Sequence, residues 1–387
     1  MKLCVVSFKE CWQDERGTWL SYGGFPLQMA AIGSLFSQLT LVIVRGPARP
    51  GGIPLPPATV IPLRPPRGAG LVRKLSVAAA APHYLGTIRR AIKSADAVHT
   101  PLPGDIALVG MWLGLVMRKP LLARYGGRWE NGAGTTLFNR VTRSTMRAFA
   151  GGRNIMLATG EGAIAPSPRM QWIFSTSLSR SELDRIDART DRPLGDPPRL
   201  VYAGRLSPEK GVGNLLRALA LLQKRPTRAR PLLTIAGDGP ERASLETLAA
   251  ELGVAPSVRF VGQLDRGALS SALAQSDLCV QPSLTEGYSK AWLDAMAHGV
   301  PVLSSAVGAA KVVLGSNGER GWTTTPGDVE ALATALELAL TQRIDWPALR
   351  HRCREYAESR TLESWAARIA ATCREQWGVN ALDGAGT

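Results

Sequence analysis

The sequence predicts an α/β protein made of two doubly wound parallel-sheet domains. Short apolar runs of the kind that form buried parallel strands recur along the chain, among them Leu3–Ser7, Leu39–Val44, Arg199–Ala203 and Leu232–Ala236. Helical patterns separate them, so strand and helix alternate as in βαβ units. The same grammar restarts near residue 199, after a charged and proline-rich stretch, Ser181 to Pro198, that reads as a linker.

With 387 residues, 45% of them apolar, the chain can fill two cores. Lys and Arg (46) outnumber Asp and Glu (31), a formal charge of +15 that favours anionic partners such as nucleotides or phospholipid surfaces, or reflects general arginine usage. Charge alone does not make a nucleic-acid binder, and no basic stretch carries the interleaved aromatics that stack on bases. The five cysteines, Cys4, Cys11, Cys279, Cys353 and Cys373, have no paired spacing, so neither a disulfide framework nor a zinc site is indicated and a reducing compartment follows. The start has six residues between Lys2 and Lys9, too few for the apolar core of a secretory signal. The longest apolar run, Ile106 to Met117, falls short of the roughly 20 residues that cross a bilayer and reads as a buried helix.

In the first half, Ser21-Tyr-Gly-Gly-Phe-Pro26 precedes a helical pattern from Leu27 to Gln38. Gly23 and Gly24 there let the backbone approach a ligand, or simply make a turn. A strand is expected at Thr59–Pro62. From Leu71 to Lys93, basic residues (Arg73, Lys74, Arg89, Arg90, Lys93) mix with apolar ones such as Leu75, Val77 and Leu85, which describes either a solvated face or a surface for anionic headgroups. Strand ends at Ala97–Thr100 and Pro120–Tyr125 place His99, Arg124, Tyr125 and Gly126 at a sheet edge, where open parallel sheets bind ligands. A helix from Thr136 to Phe149 and strands near Asn154–Ala158 and Trp172–Ser175 follow.

The second half carries the chemistry. Gly204-Arg-Leu-Ser-Pro-Glu-Lys-Gly211 follows its first strand, so Arg205 and Lys210 stand at the strand's C-terminal edge, Arg as a bidentate fork and Lys as a point charge, able together to neutralise a diphosphate. Gly237-Asp-Gly-Pro240 and Arg259-Phe-Val-Gly-Gln263 are either further ligand turns or ordinary βα turns. In Gln281-Pro-Ser-Leu-Thr-Glu-Gly-Tyr-Ser-Lys290, continuing as a helix to His298, Glu286 lies in a loop and Asp294 eight residues later on the helix. At the rise of a helix the two acids are roughly 10 Å apart, a span for an elongated polar ligand. Between them Gly287 and the N–H groups of Tyr288, Ser289 and Lys290 make a helix N-terminus that favours phosphate. Alternatively the acids are a solvated loop acid and a helix-surface acid.

These motifs resemble glycosyltransferase family 4, the retaining transferases of GT-B fold. The acid, seven residues, acid spacing is similar, with Asp294 where the family writes a second glutamate, and so is the glycine, arginine, leucine, then glutamate, lysine, glycine run at 204–211. The resemblance covers the second half specifically and the first loosely. The family's histidine near Tyr125 is missing from Tyr125-Gly-Gly-Arg-Trp129.

The resemblance implies two Rossmann-like domains facing each other across a cleft: an acceptor-binding domain over 1–180, the linker 181–198, and a nucleotide-sugar domain over 199–350. Helices at 351–378 would cross back to the first domain, with a frayed tail at 379–387. It implies transfer of a sugar from a nucleotide diphosphate sugar to an acceptor hydroxyl with retention, in bacterial cell-surface polysaccharide or glycolipid synthesis. The acceptor is a sugar or a lipid-linked sugar, and the enzyme is cytoplasmic or peripheral on the inner face of an anionic membrane. Arg205, Lys210 and Glu286 are the catalytic residues expected. The donor is expected at Gly23, Gly24, Gly204, Gly237, Gly239, Val261, Gly262, Gly287, Tyr288, Ser289, Lys290 and Asp294, with no metal and no cofactor. Paired carboxylates about 5 Å apart, as in retaining glycosidases, do not fit the spacing. A GT-B epimerase or phosphorylase would share the shell, although no lysine sits in a recognisable pyridoxal setting. A non-catalytic GT-B partner that only binds nucleotide sugar or polysaccharide is the other reading.

Overall fold

The computed structural model describes residues 1–65, 70–129, 135–226 and 230–378, and of residues 70–75, 77 and 78 the backbone alone. The side chains of Arg73, Lys74, Leu75 and Val77 and the tail 379–387 therefore lie outside the described residues. Contacts divide the chain into two compact units: residues 1–159, 163–177 and from Leu362 on, and residues 160–162 with 178–361.

In the first unit the strands are β1 (Lys2–Gln13), β2 (Trp19–Ser21), β3 (Gln38–Arg45), β4 (Ile53–Pro54), β5 (Thr59–Leu63), β6 (Ala97–Leu102), β7 (Leu121–Tyr125), β8 (Asn154–Thr159) and β9 (Gln171–Ile173). They form one sheet in which the parallel order runs β5-β3-β1-β6-β7-β8-β9. Its helices are α1 (Phe25–Gly33), α2 (Gly70–Lys93), α3 (Asp105–Val116) and α4 (Leu137–Phe149). One face of the sheet, with Cys4, Val6, Val98 and Ala123, buries Ile88 and Ile92 of α2, Met111 of α3 and Met146 of α4. Apolar residues occupy successive strands with little alternation, as a sheet covered on both sides requires. The sequence reading stopped the first strand at Ser7, but β1 runs on to Gln13 and pairs antiparallel with β2, which pairs in turn with β4.

The second unit holds α5 (Arg180–Leu183), β10 (Arg199–Ala203), α6 (Val212–Lys224), β11 (Leu232–Ala236), α7 (Arg242–Glu251), β12 (Val258–Gly262), α8 (Arg266–Ala274) and β13 (Leu278–Gln281). It continues with α9 (Lys290–Ala297), β14 (Val302–Ser305), α10 (Ala310–Leu314), β15 (Gly321–Thr324), α11 (Val329–Thr341) and α12 (Trp346–Glu358). The six strands are parallel in the order β12-β11-β10-β13-β14-β15. Asp265, Asp328 and Asp345 begin α8, α11 and α12 by accepting the backbone N–H three residues on, at 2.8, 2.9 and 3.0 Å, each satisfying an orphan donor. The last helix, α13 (Leu362–Trp377), belongs to the first unit and packs on α1. Among the described residues no helix is long and apolar enough to cross a membrane.

Residues 181–198, expected as a linker, are instead fastened to the second unit, and two arginines of α12 are the reason. Asp277, 1% exposed at the start of β13, accepts Arg350 Nη2 and Arg192 Nη2, both at 2.8 Å, and the Arg199 N–H at 2.8 Å. Arg350 Nε also donates to Arg192 O at 2.9 Å, and Arg354 donates to Leu183 O at 2.9 Å and to Ala297 O at 2.6 Å. Composition read this stretch as solvated, but its charges and carbonyls are partnered. The boundary expected at residue 350 falls at Leu362, because α12 packs on α9.

A buried acid holding two guanidinium groups cannot be removed from one side without leaving unpaired charge. Asp277→Ala should lower the unfolding free energy of the second unit by about 3–5 kcal/mol, and Asp277→Asn by less, in urea denaturation followed by tryptophan fluorescence. A change under about 1 kcal/mol for the alanine variant would mean that the arginines repartner freely.

Candidate active site

The second sheet reverses its strand order between β10 and β13, and the crevice beyond the C-terminal ends at such a point is where open α/β sheets bind ligands. The loops leaving these strands emerge side by side. Gln281 Nε2 donates to Ala203 O at 3.0 Å, and the Leu284 N–H to Glu209 O at 2.8 Å. At Gly211, φ is +65° and a Cβ would stand 2.3 Å from Pro282 O, so only glycine lets the loops meet. Lys210 closes a single 3-10 turn, Pro208–Lys210. Its Nζ donates to Glu286 Oε2 at 2.6 Å, the two side chains being 25% and 19% exposed. Glu286 Oε1 accepts the Gly287 N–H at 3.2 Å. An ammonium and a carboxylate 76 residues apart in sequence thus share one rim.

A cavity of about 550 Å³ is walled by Gly204, Arg205, Gly237, Asp238, Gln263 and Asp294 among others, while Lys210 and Glu286 are not part of its wall. Its floor is backbone. A Cβ on Gly237 would come to 1.8 Å from Gly204 O and one on Gly239 to 2.2 Å from Leu206 O, so the loops after β10 and β11 are in contact through their main chains. Arg205 is exposed at the wall. Val261 and Gly262 end β12, Gly262 O accepting the Gly237 N–H at 2.8 Å, and the wall itself is made by the next two residues, Gln263 and Leu264.

Asp294 is partly exposed at the wall, yet the mass packed around it pushes its carboxyl up to about 6, against the pull of Arg266 and Lys290. Arg266 is itself paired with Glu182. His298, one turn on, holds Asp294 O with Nδ1 at 2.8 Å and Ser270 Oγ with Nε2 at 2.7 Å, and burial lowers its pKa, so it is a neutral structural histidine. Among the described residues Asp294 has cations nearby, Arg266 and Lys290, but makes no direct ion pair, which leaves its oxygens as acceptors suited to hydroxyl donors.

The turn between the two acids is tightly held. Gly287 O accepts the Ala309 N–H at 2.9 Å, and Gly308, at φ +53°, would bring a Cβ to 2.2 Å from the same oxygen. Ser289 precedes the first helical residue, Lys290, without capping through its side chain. Tyr288 is 6% exposed and its hydroxyl donates to Glu161 at 3.3 Å. Sequence reasoning passed over Glu161; an acid bracketed by Gly160 and Gly162 was the available signal.

Gly23 and Gly24 lie in the first unit, between β2 and α1, Gly23 at φ +73° and Gly24 as the residue before the helix, its carbonyl accepting the Gln28 N–H at 2.9 Å. Also in that unit, His99 is fully buried with Nδ1 2.8 Å from Leu122 O, and burial brings its pKa down to about 3, so it stays neutral and structural. Arg124 donates to Gln28 Oε1 at 2.8 Å and stacks 5.5 Å from the Trp365 ring of α13. Tyr125 is 2% exposed, with its ring edge-on to Trp129 at 5.6 Å. Among the described residues no three His, Cys, Asp or Glu side chains group as metal ligands would.

Residues 184–360 match the family described as glycosyl transferases group 1. A glycogen synthase of Mycobacterium tuberculosis is 35% identical over 186 residues, 48% of this chain and 43% of that protein. An MMP alpha-(1->4)-mannosyltransferase of Mycolicibacterium hassiacum is 34% identical over 289 residues, 71% of this chain and 62% of that protein, so the chain spans less than two thirds of either relative. The crystal structure of Anabaena HepE in complex with UDP superposes with a TM-score of 0.68 over 97% of this chain and 100% of that one, at 18% identity, and so shares the fold. The switch-point loops and the match over 184–360 make the second unit similar to the glycosyl transferases group 1 family, and the chain shares the GT-B architecture.

Proposed function

We propose that the chain transfers a sugar from a nucleotide diphosphate sugar to an acceptor hydroxyl, with retention of configuration and without a metal. The second unit takes the donor and the first the acceptor. The observation that carries this reading is the Lys210–Glu286 pair, 2.6 Å apart on the switch-point loops, in the same unit as a cavity walled by Arg205 and Asp294. In the proposed mechanism the bond from the donor's anomeric carbon to the diphosphate oxygen breaks, the acceptor oxygen bonds to that carbon, and its proton passes to the leaving phosphate. Lys210, Arg205 and the N-terminus of α9 offset the charge that grows on the diphosphate, which removes the need for a divalent ion. Glu286 accepts from the sugar's hydroxyls and Asp294 from the ribose diol. That the relatives are a glycogen synthase and a mannosyltransferase accords with a hexosyl donor.

We also assign the acceptor to a lipid-linked sugar at an anionic membrane, for use in cell-surface polysaccharide or glycolipid synthesis, on the inner face where five free, buried cysteines would stay reduced. The support is the outer surface of α3 and α4. Trp112 and Val116 of α3 and Leu137, Phe138, Val141 and Phe149 of α4 are exposed, and Arg118, Arg140 and Arg147 are exposed among them. Between residues 70 and 149 there are twelve Lys and Arg against three Asp and Glu. Apolar side chains interspersed with uncompensated cations match a phospholipid surface of opposite charge.

The following outcomes test both readings. Nucleoside diphosphates and their sugars, screened as a panel, should raise the melting temperature by mass action. With the best donor, Lys210→Ala and Glu286→Ala should each lower kcat by roughly 10²–10³, and unchanged turnover in both would sink the enzyme reading in favour of a binding protein. For Asp294, folding raises the pKa from 3.8 to about 6. The stability linked to its proton is therefore whole below the lower value and is lost as pH rises through the upper one. Asp294→Asn should melt above wild type at neutral pH, with the gap closing towards pH ~4. Wild-type affinity for a nucleoside diphosphate should fall as pH drops below ~6, while the variant binds weakly and without that step. A pH-independent wild type would remove Asp294 from the site. The chain should also sediment with vesicles containing phosphatidylglycerol and not with pure phosphatidylcholine, and Arg140→Gln with Arg147→Gln should weaken this by about 1 kcal/mol per arginine. Equal binding to both vesicles, or a concentration-dependent dimer through α4, would overturn the membrane assignment.

A further inference from the structure

Glu161 gathers more hydrogen bonds than the two acids of the motif. Its side chain is 12% exposed. It accepts Tyr356 OH at 2.8 Å, Arg360 Nε at 2.7 Å and Nη2 at 3.3 Å, and Tyr288 OH at 3.3 Å. The Arg360 guanidinium lies 4.6 Å from the Tyr356 ring centroid, and Arg320 lies 4.7 Å from the same ring. Both phenols are desolvated, which raises their pKa values and keeps them as donors. The charge of Glu161 is therefore matched by Arg360 while its remaining acceptor capacity is taken up by two neutral hydroxyls.

Of these partners, Tyr288 reaches the motif. It follows Glu286 and Gly287 and precedes the first turn of α9, and its ring sits 5.9 Å from that of Trp292 one turn along the helix. The Gly287 carbonyl is already held by the Ala309 N–H. With Gly287 fixed through its backbone and Tyr288 through its side chain, the peptide between them has little freedom, and that peptide orients both the Glu286 carboxylate and the amides that open α9. A buried tyrosine hydroxyl that lost its acceptor would have to find another by turning the chain.

We propose that Glu161 is a positioning residue for the donor-gripping turn 286–290, setting the direction of Glu286 through Tyr288. The proposal rests on the glycosyl-transfer reading above. It predicts that the effect travels chiefly from Glu161 to Tyr288 OH and then to the 286–290 backbone, with Tyr356, which caps the same carboxylate from α12 and also meets Tyr288, as a lesser contributor.

The test compares Glu161→Gln, Tyr288→Phe, the double variant and Tyr356→Phe, all as the full chain. Amide hydrogen exchange of residues 287–290 should quicken about tenfold in the first two relative to β13. With the best nucleotide diphosphate sugar, kcat/KM should fall about tenfold in each, and the double variant should be no worse than either single one, since both cut the same path. Tyr356→Phe, which leaves the Glu161–Tyr288 bond in place, should quicken exchange and lower kcat/KM by clearly less than Glu161→Gln or Tyr288→Phe. Glu161→Gln that melts lower but keeps wild-type kinetics and exchange overturns the inference, as do additive losses in the double variant. Should Glu161→Gln fold poorly, Tyr288→Phe carries the test, because it removes one oxygen from a ring that stays packed. A wild type that neither binds nor turns over any nucleotide diphosphate sugar overturns the transfer reading instead, and the exchange data then decide only whether Glu161 orders the turn.

Discussion

Main-chain contact between loops is the constraint on which the second unit depends. The loop after β10 touches the loops after β11 and β13 through backbone atoms, with Gly204 O beneath Gly237, Leu206 O beneath Gly239 and Pro282 O beneath Gly211. Distances of 1.8 to 2.3 Å to a hypothetical Cβ mean that no side chain can stand between these segments without moving a strand. Lys210 and Glu286 meet because the glycines let their loops meet. The ion pair follows from the packing. Half-buried, at 2.6 Å, it contributes more to where the two groups point than to stability, since the attraction of such a pair is largely offset by desolvation.

Much of this was legible in the sequence because parallel sheets buried on both faces write themselves as apolar runs, and nearly every run became a strand. The site was legible for a different reason: the glycines that permit contact and the charges that use it sit at the ends of those runs, where the strand order dictates. Long-range partnership was hidden. Residues 181–198 read as a linker because charge and proline usually mean solvent, and only Arg192, Arg350 and Arg354 meeting Asp277 and backbone carbonyls make that stretch part of a core. The extension of β1 to Gln13 was missed because β2 and β4 are three and two residues long and offer no periodicity to detect. Tyr288 was read for its amide alone, and Glu161 was not singled out, since its flanking glycines mark a turn but not an acid whose partners lie 127 to 199 residues away.

The buried acids of the second unit divide by how completely they are paired, and the division separates architecture from chemistry. Asp277 has two guanidinium groups and an N–H, and Glu161 has one guanidinium and two phenols, so each carboxylate is compensated where it lies. Desolvation lifts the pKa of Asp294 to about 6, and the nearby Arg266 and Lys290 offset only part of that rise. Two acids are thus compensated where they lie, while the third stands at a cavity wall with its desolvation only partly offset by its neighbours.

That imbalance also bears on the shortening from glutamate to aspartate. A longer side chain at 294 would reach further into the cavity and find more water, lowering the cost of its charge. Aspartate keeps the carboxylate one methylene nearer to α9, on the wall it shares with Ala291 and Leu269, where burial raises its pKa. The shorter acid is therefore more dependent on what enters the cavity. Hydroxyl donors from a bound ligand would lower its pKa and gain in strength from the poor solvation of the free state, so affinity at this wall should be bound more tightly to pH than a fully solvated glutamate would allow.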